Sequence, residues 1–324
     1  MHRLTRLVAL VGLGCGLLGC EKSAPTATGG AAPPARQVVV GFSQIGAESG
    51  WRAAETGSIL AEAKKRGVEL KFADGQGKQA NQVQAIEQFV AQGVDAIILA
   101  PVVGTGWDAP LAKAKRAGIP VVLVDRAVET DPSNYATLIQ SDHVEAGRAV
   151  ARWLIEKTGG KAVVVQLEGT VGSGPAIDRK KGFEEVIATA PGITILRSQS
   201  GDFKKMTGKQ VMEGIIRAEK GAFTAVYAHN DDMALGAIQA LQEAGLSPGE
   251  KVLVMSIDGG REAFEAMVAG TLNCVMECNP LLGPPAFDAI EAIRAGAAVP
   301  KSISQTDRLF DRSEAAAALP SRAY

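Results

Sequence analysis

Blocks of apolar residues recur along this chain, separated by longer stretches in which apolar residues fall at helical spacing. Val38–Phe42, Glu69–Ala73, Ala96–Ala100, Val121–Asp125 and Ala136–Ile139 read as strands. The stretches between them are rich in Ala. Over Ala80–Ala91, for example, Val83, Ile86, Phe89 and Val90 share one helical face. Several of these helices end at a glycine directly before the next strand, at Gly67, Gly93 and Gly118. Glycine accepts the left-handed backbone that ends a helix, and the preceding Lys65-Arg66 and Arg116 suit its carboxyl end. Strand, helix, glycine and strand in repetition predict parallel βαβ units.

The pattern then restarts. Lys161–Leu167, Ile193–Ser198, Ala225–Ala228 and Val252–Ile257 read as strands, with helices at Ala176–Ala190, Lys205–Lys220 and Asp232–Ala244 between them. This is too much strand for one compact sheet, so an α/β body of two lobes is expected. The chain is expected to cross between lobes at Ser141-Asp142. Cys278-Asn279-Pro280, ahead of a helix at Pro284–Ala295, gives a second crossing, and the strand-like Thr306–Phe310 a third. Residues 37–141 and 279–306 would form one lobe, and residues 142–278 and 307–324 the other. Several crossings between two lobes suit a hinge.

Polar residues gather where strands end. The segment Gly41–Glu55 places Gln44, Glu48, Ser49, Trp51 and Arg52 between a strand and a helix. Ligands of open α/β sheets bind outside the carboxyl ends of the strands. A polyhydroxylated ligand suits this mixture, with a ring for its C–H face and charged groups for its hydroxyls. Asp125-Arg126 ends another strand, where the pair can grip hydroxyls or simply form a salt bridge. Arg179 stands early in a helix and can face a crevice, while Lys180 and Lys181 are expected to face solvent. Asn230 follows a strand and both donates and accepts. Asp232 suits a helix cap as well as a ligand. Asp258 ends Val252–Ile257.

Catalysis finds no support in this pattern. His229 has no Ser or Cys nucleophile with an orienting acid beside it in the sequence. The glycines of Glu168–Pro175 fit no dinucleotide register, and no Lys-Ser or Lys-Thr follows them. No cofactor and no metal site is expected. The formal net charge of -1 offers nothing to attract nucleic acid or an acidic membrane. Aromatic residues make up only 5% of the chain, so Trp51, Trp107 and Trp153 each matter. Cys274 and Cys278 are four apart in a strand-like run. On a strand that is about 13 Å, too far for a disulfide. Two half-buried thiols are expected.

The amino end reads as a targeting segment. His2, Arg3 and Arg6 precede an apolar core, Leu7–Leu18, that is too short to span a membrane as a stable helix. Leu17-Leu18-Gly19-Cys20 resembles a bacterial lipobox, which implies cleavage before Cys20 and lipidation of its thiol. Residues 1–19 would then be a lipoprotein signal peptide. Residues 20–36, rich in Ala, Pro, Thr and Gly, read as a flexible tether.

The body as a whole resembles bacterial periplasmic sugar-binding proteins of the ribose/galactose-binding type, and within them the galactofuranose binders. The likeness rests on GFSQIGAESGWRAAE at Gly41–Glu55, ADGQ at Ala73–Gln76 and FVAQGVDAIILAPVVGTGW at Phe89–Trp107. It continues in VDR at Val124–Arg126, DRKKGF at Asp178–Phe183, RSQSGDF at Arg197–Phe203, YAHNDDMALGAIQA at Tyr227–Ala240 and SIDG at Ser256–Gly259. It implies two Rossmann-like lobes, a three-strand hinge and the substrate-binding subunit of an ABC sugar importer. By motif it assigns ligand contacts to Glu48, Ser49, Gly50, Trp51, Arg52, Asp125, Arg126, Arg179, Asn230 and Asp258. Ribopyranose-binding relatives carry paired aromatics where this chain has Trp51 and Arg52, and an Asn where it has Ala100. The Cys274/Cys278 pair departs from the galactofuranose pattern and puts a ligand contact from Glu277 or Cys278 in doubt.

The reading is a non-enzymatic, periplasmic, lipid-anchored monomer that touches the membrane only through its anchor. It would bind a furanose-like monosaccharide and deliver it to an ABC permease and ATPase. The alternative is a sugar sensor that presents its ligand to a chemoreceptor or sensor kinase.

Overall fold

The computed structural model describes residues 36–324. The expected signal peptide, Cys20 and the tether through residue 35 lie outside the described residues. The first half of the body runs β1 (Val39–Gln44), α1 (Gly50–Lys65), β2 (Glu69–Asp74), α2 (Gln79–Gln92), β3 (Ala96–Leu99), α3 (Asp108–Arg116), β4 (Val121–Val124) and β5 (Thr137–Gln140). Then come α4 (His143–Thr158), β6 (Ala162–Glu168), α5 (Gly174–Ile187), β7 (Ile193–Ser200), α6 (Lys205–Glu219), β8 (Ala225–Ala228), α7 (Asp231–Glu243), β9 (Leu253–Asp258) and α8 (Arg261–Val268). The chain closes with β10 (Cys274–Glu277), α9 (Gly283–Arg294), β11 (Ser302–Ser304), β12 (Leu309–Asp311) and α10 (Ala315–Ala318).

Each lobe is built on one six-stranded sheet. The spatial orders are β2-β1-β3-β4-β5-β11 and β7-β6-β8-β9-β10-β12. The first five strands thus follow the same doubly wound order in both sheets, with the switch point at β1/β3 in one and β6/β8 in the other. All pairings are parallel except β10 with β12. Residue chemistry explains the layering. β3 (Ala-Ile-Ile-Leu) and β4 (Val-Val-Leu-Val) are buried at every position, as parallel strands covered by helices on both faces must be. β2 stands at a sheet edge and mixes exposed with half-buried positions.

Local signals set the helix ends. Ser49, Asp142 and Asn230 accept the backbone N–H three residues on and so cap α1, α4 and α7. Gly67, Gly93 and Gly118 follow helices at φ 66°, 63° and 72°, as their placement in the sequence predicts. The chain passes between the sheets three times, from β5 to α4, from β10 to α9 and from β11 to β12.

Two expectations need correction. Thr306–Phe310 is not one strand: the chain is irregular through Arg308, and β12 begins at Leu309. The physical reason is the polar Asp307, whose carboxylate accepts the Asn279 N–H at 3.1 Å between the sheets. The two cysteines are free but fully buried rather than half-buried, because β10 is an interior strand and Cys278 lies just past its end.

Candidate functional site

α1 carries the first part of the site, and its buried face is unusual. Trp51, Arg52, Glu55, Ile59, Glu62 and Ala63 are its buried residues. A face that would ordinarily be apolar is therefore ionic in its first two turns. Glu48, Arg52 and Glu55 follow one another at i, i+4 and i+7, so they share a side.

Arg52 is the hub of this network. Its Nε donates to Glu48 Oε1 at 3.0 Å, one terminal nitrogen donates to Glu55, and the other donates to Asp125 Oδ2 at 2.6 Å. The guanidinium also lies 4.8 Å over the Trp51 ring. Trp51 is 8% exposed, and its indole N–H donates to the Cys278 carbonyl. Burial pushes the Asp125 carboxyl up, but Arg52, Arg126 and His143 outweigh it and hold the group at about 2. Glu48 is likewise held below its usual range, with Arg52 and Arg126 overcoming burial.

The facing lobe supplies a matching set. Asp125 follows β4 and Asp258 ends β9, the equivalent strand of the other sheet. Both stand at positive φ, 65° and 135°, which is rare for a residue with a side chain and concentrates at functional sites. Their electrostatics differ. Burial pushes Asp258 well above its ordinary range, Arg179 opposes this, and Asp231 and Asp232 add to it. Arg179 donates to the His229 carbonyl at 2.5 Å and lies 3.5 Å from Asp258 Oδ1. Asn230 caps α7 through Oδ1, and its Nδ2 donates to the Phe203 carbonyl at 3.1 Å.

These groups line one small cavity. Nine of the ten sequence-expected residues are on its wall: Glu48, Ser49, Trp51, Arg52, Asp125, Arg126, Arg179, Asn230 and Asp258. Gly50 is not. It is exposed, and its N–H reaches across to Asp232 Oδ2 at 3.2 Å. Asp232 therefore neither caps α7 nor lines the cavity. Glu277 and Cys278 also stay off the wall, with Glu277 paired to Arg322 at 2.6 Å. His229 is buried, with its ring on Gln166 and the Gly169 N–H, and is held neutral by burial and by Arg179. Lys180 is not simply solvated, since it pairs with Glu168 at 2.7 Å.

Two wall residues escaped the sequence reading, Pro175 and Phe203. Phe203 stands at φ 58° after Asp202 at φ 59°, and its ring presses on Gly169, where a Cβ would lie 2.0 Å from it. Arg126 lies over this ring at 5.6 Å and Arg179 at 5.8 Å. A second aromatic surface is therefore present, but it comes from the other lobe rather than from the position beside Trp51. No periodic signal marks Phe203; only the strained turn reveals it.

Three buried atoms on the wall make no hydrogen bond among the described residues: Glu48 Oε2, Arg179 Nε and Arg126 Nε, the last lying 3.3 Å from Asp125 Oδ2 in an ion pair. Buried polar groups are rarely left so, and an acceptor and two donors around one small cavity match a ligand bearing several hydroxyls.

Two doubly wound lobes with a polar, aromatic-walled cavity at the carboxyl ends of both sheets define a solute-binding protein of the two-lobed class. The chain belongs to the periplasmic binding protein family, whose domain model, described as a periplasmic binding protein domain, matches residues 40–296. It is 51% identical over 276 residues to the galactofuranose-binding protein YtfQ of Escherichia coli (strain K12), covering 84% of this chain and 87% of that protein. Among solved structures, the binding component of the arabinose ABC transporter from Shewanella sp. ANA-3, bound to α- and β-L-arabinofuranose, superposes with a TM-score of 0.86. It is 51% identical, and the match covers 88% of this chain and 96% of that one. A Mycobacterium smegmatis protein in complex with β-D-fucofuranose gives a TM-score of 0.85 at 46% identity, covering 87% and 94%. These relatives are solute-binding proteins, and this chain is one of that kind rather than an enzyme. The family places it in the periplasm.

Proposed function

We propose that this protein binds a monosaccharide in its furanose form, galactofuranose or a close relative, and delivers it to the permease and ATPase of an ABC importer. The observation that carries the reading is the set of buried wall atoms that make no hydrogen bond, Glu48 Oε2, Arg126 Nε and Arg179 Nε, beside two aromatic rings. The relatives support the ring form. A hexose, a pentose and a deoxyhexose are named for them, and what these share is a five-membered ring.

In this reading Trp51 and Phe203 cover apolar faces of the sugar. Arg126 and Arg179 donate to hydroxyls, Glu48 and Asp125 accept, and Ser49, Asn230 and Asp258 complete the shell. Arg52 has given three of its five N–H groups to carboxylates, so it holds the acceptors in place and has two N–H groups left for the ligand. The three crossings act as the hinge on which the lobes at 37–141 with 279–306 and 142–278 with 307–324 close. Cys20 carries the lipid anchor. The sensor reading is not favoured, since the relatives at about half identity are named for sugar binding and for an ABC transporter.

A thermal-shift panel of furanose-forming and pyranose-locked sugars tests the proposal, because a ligand of the folded state raises its apparent stability. D-galactose and L-arabinose should raise the melting temperature, while pyranosides locked in the six-membered ring should not. Asp125→Ala should abolish the shift and leave the protein folded. A folded variant with unchanged calorimetric affinity would remove the assigned site.

A further inference from the structure

Glu55 stands apart from the other carboxylates around Arg52. It is 0% exposed and does not line the cavity, so it cannot touch a ligand there. It is also held from behind. Gln44, at the end of β1, donates from Nε2 to Glu55 Oε2 at 3.0 Å and to Thr56 Oγ1 at 3.0 Å. The Gln44 amide is itself oriented, because its Oε1 accepts the Ile45 N–H at 2.8 Å. A chain of hydrogen bonds thus runs from the backbone after β1, through Gln44 and Glu55, to Arg52, and from Arg52 to the two wall carboxylates Glu48 and Asp125.

We propose that Glu55, fixed by Gln44, is a positioning residue for sugar recognition: it pins the third edge of the Arg52 guanidinium and thereby fixes the direction in which Glu48 and Asp125 present their oxygens. The proposal rests on the sugar-binding reading above.

A guanidinium is planar, so anchors on its Nε and on both terminal nitrogens fix its plane and its rotation together. With Glu48 and Asp125 as its only anchors, Arg52 would take its position from the two acceptors that face the ligand and would move whenever they move. Glu55 removes that freedom from a place the ligand never reaches.

A role in stability alone fits poorly. Burying a carboxylate beside two others is unfavourable for the fold. Arg52 and Arg126 face Glu48, Glu55 and Asp125, which leaves one more negative than positive group. Burial and the Asp125 carboxylate both push the Glu55 carboxyl up, against the pull of Arg52. A device retained against that penalty for positional accuracy should show a split: its neutral isostere should fold at least as well and bind worse.

The test uses the full chain with Glu55→Gln, read by apo melting temperature and by calorimetry with D-galactose and L-arabinose. The expected result is an affinity at least tenfold weaker, with the apo melting temperature unchanged or raised. In an Arg52→Lys background the same substitution should change affinity less than twofold, since its effect passes through the guanidinium. Affinity within threefold of wild type in the folded variant overturns the proposal. So does a loss of affinity that merely follows a fall in melting temperature. If Glu55→Gln does not fold, Gln44→Met, which keeps the bulk and removes the amide, is read by the same criteria. Failure of both to fold would make the pair a scaffold element and reject the positioning role. A wild-type protein that binds neither sugar would instead reject the furanose reading and leave the hydrogen-bonded chain itself intact.

Discussion

Asp125 and Asp258 occupy equivalent strand ends in the two sheets, yet their surroundings drive them apart. Asp125 is held at about 2 by Arg52 and Arg126 against burial, so it is an anion at any physiological pH. Asp258 is pushed well above its ordinary range by burial, with only Arg179 opposing, so a neutral side chain there departs less from its natural state. Calorimetry with L-arabinose should therefore separate the two isosteric variants. Asp258→Asn should keep its affinity within about tenfold. Asp125→Asn should lose at least about a hundredfold, because it replaces the charged acceptor on the cavity wall that Arg52 and Arg126 both face. Equal losses would refute the assigned charge states. At this scale the sequence showed which residues stand at strand ends, but not their charge. Neighbours distant in the chain set that, such as Arg52 for Asp125 and Asp231 for Asp258.

Among the elements, the α4–α5 pair bears most directly on the site, because α5 carries Arg179. The two helices meet at glycines. A Cβ on Gly147 would lie 2.2 Å from the Arg179 carbonyl oxygen, and one on Gly182 would lie 1.9 Å from the Val144 carbonyl oxygen. Both contacts are with backbone, so neither can yield by a side-chain rotation. Gly147→Ala should lower stability by about 1–3 kcal/mol, as overpacking generally does, and should also weaken sugar binding by displacing α5. A Cβ on Gly214, in α6, would meet nothing within 4 Å, so Gly214→Ala should stabilise by up to about 1 kcal/mol and leave affinity unchanged. Thermal unfolding and calorimetry on both variants check the contrast. The helices themselves were legible from apolar spacing and caps. That two glycines in different helices meet was not, since neither stands in a pattern that names a partner.

Across the whole molecule, hydrogen bonds join the lobes beside the cavity, among them two donated by glycine N–H groups. The Gly50 N–H donates to Asp232 Oδ2 at 3.2 Å, and the Gly104 N–H donates to the Gly172 carbonyl at 3.4 Å. Gly50 is thus the one sequence-expected contact residue whose observed partner is the facing lobe rather than the cavity. In the proposed hinged mechanism this bond exists only when the lobes are closed, so it slows release of the sugar and plays no part in its capture. Asp232→Ala should raise the dissociation rate about three- to tenfold and leave the association rate unchanged. Stopped-flow tryptophan fluorescence measures both rates, and an unchanged dissociation rate would show that the bond carries no load.

Sequence alone determined the two α/β repeats, because strand and helix periodicities are local and the glycine and polar caps that end helices act within a few residues. It also determined that carboxylates, guanidiniums and an amide collect at strand ends, since strand ends are themselves local features. Tertiary structure decided what those groups do. It put Gly50 on the interlobe contact, brought Phe203 to the wall through a strained turn, buried both cysteines, and set Glu55 behind Arg52. Each of these depends on which surface a residue meets when two sheets face one another. That meeting is fixed by packing across long separations in the chain, which no local pattern encodes.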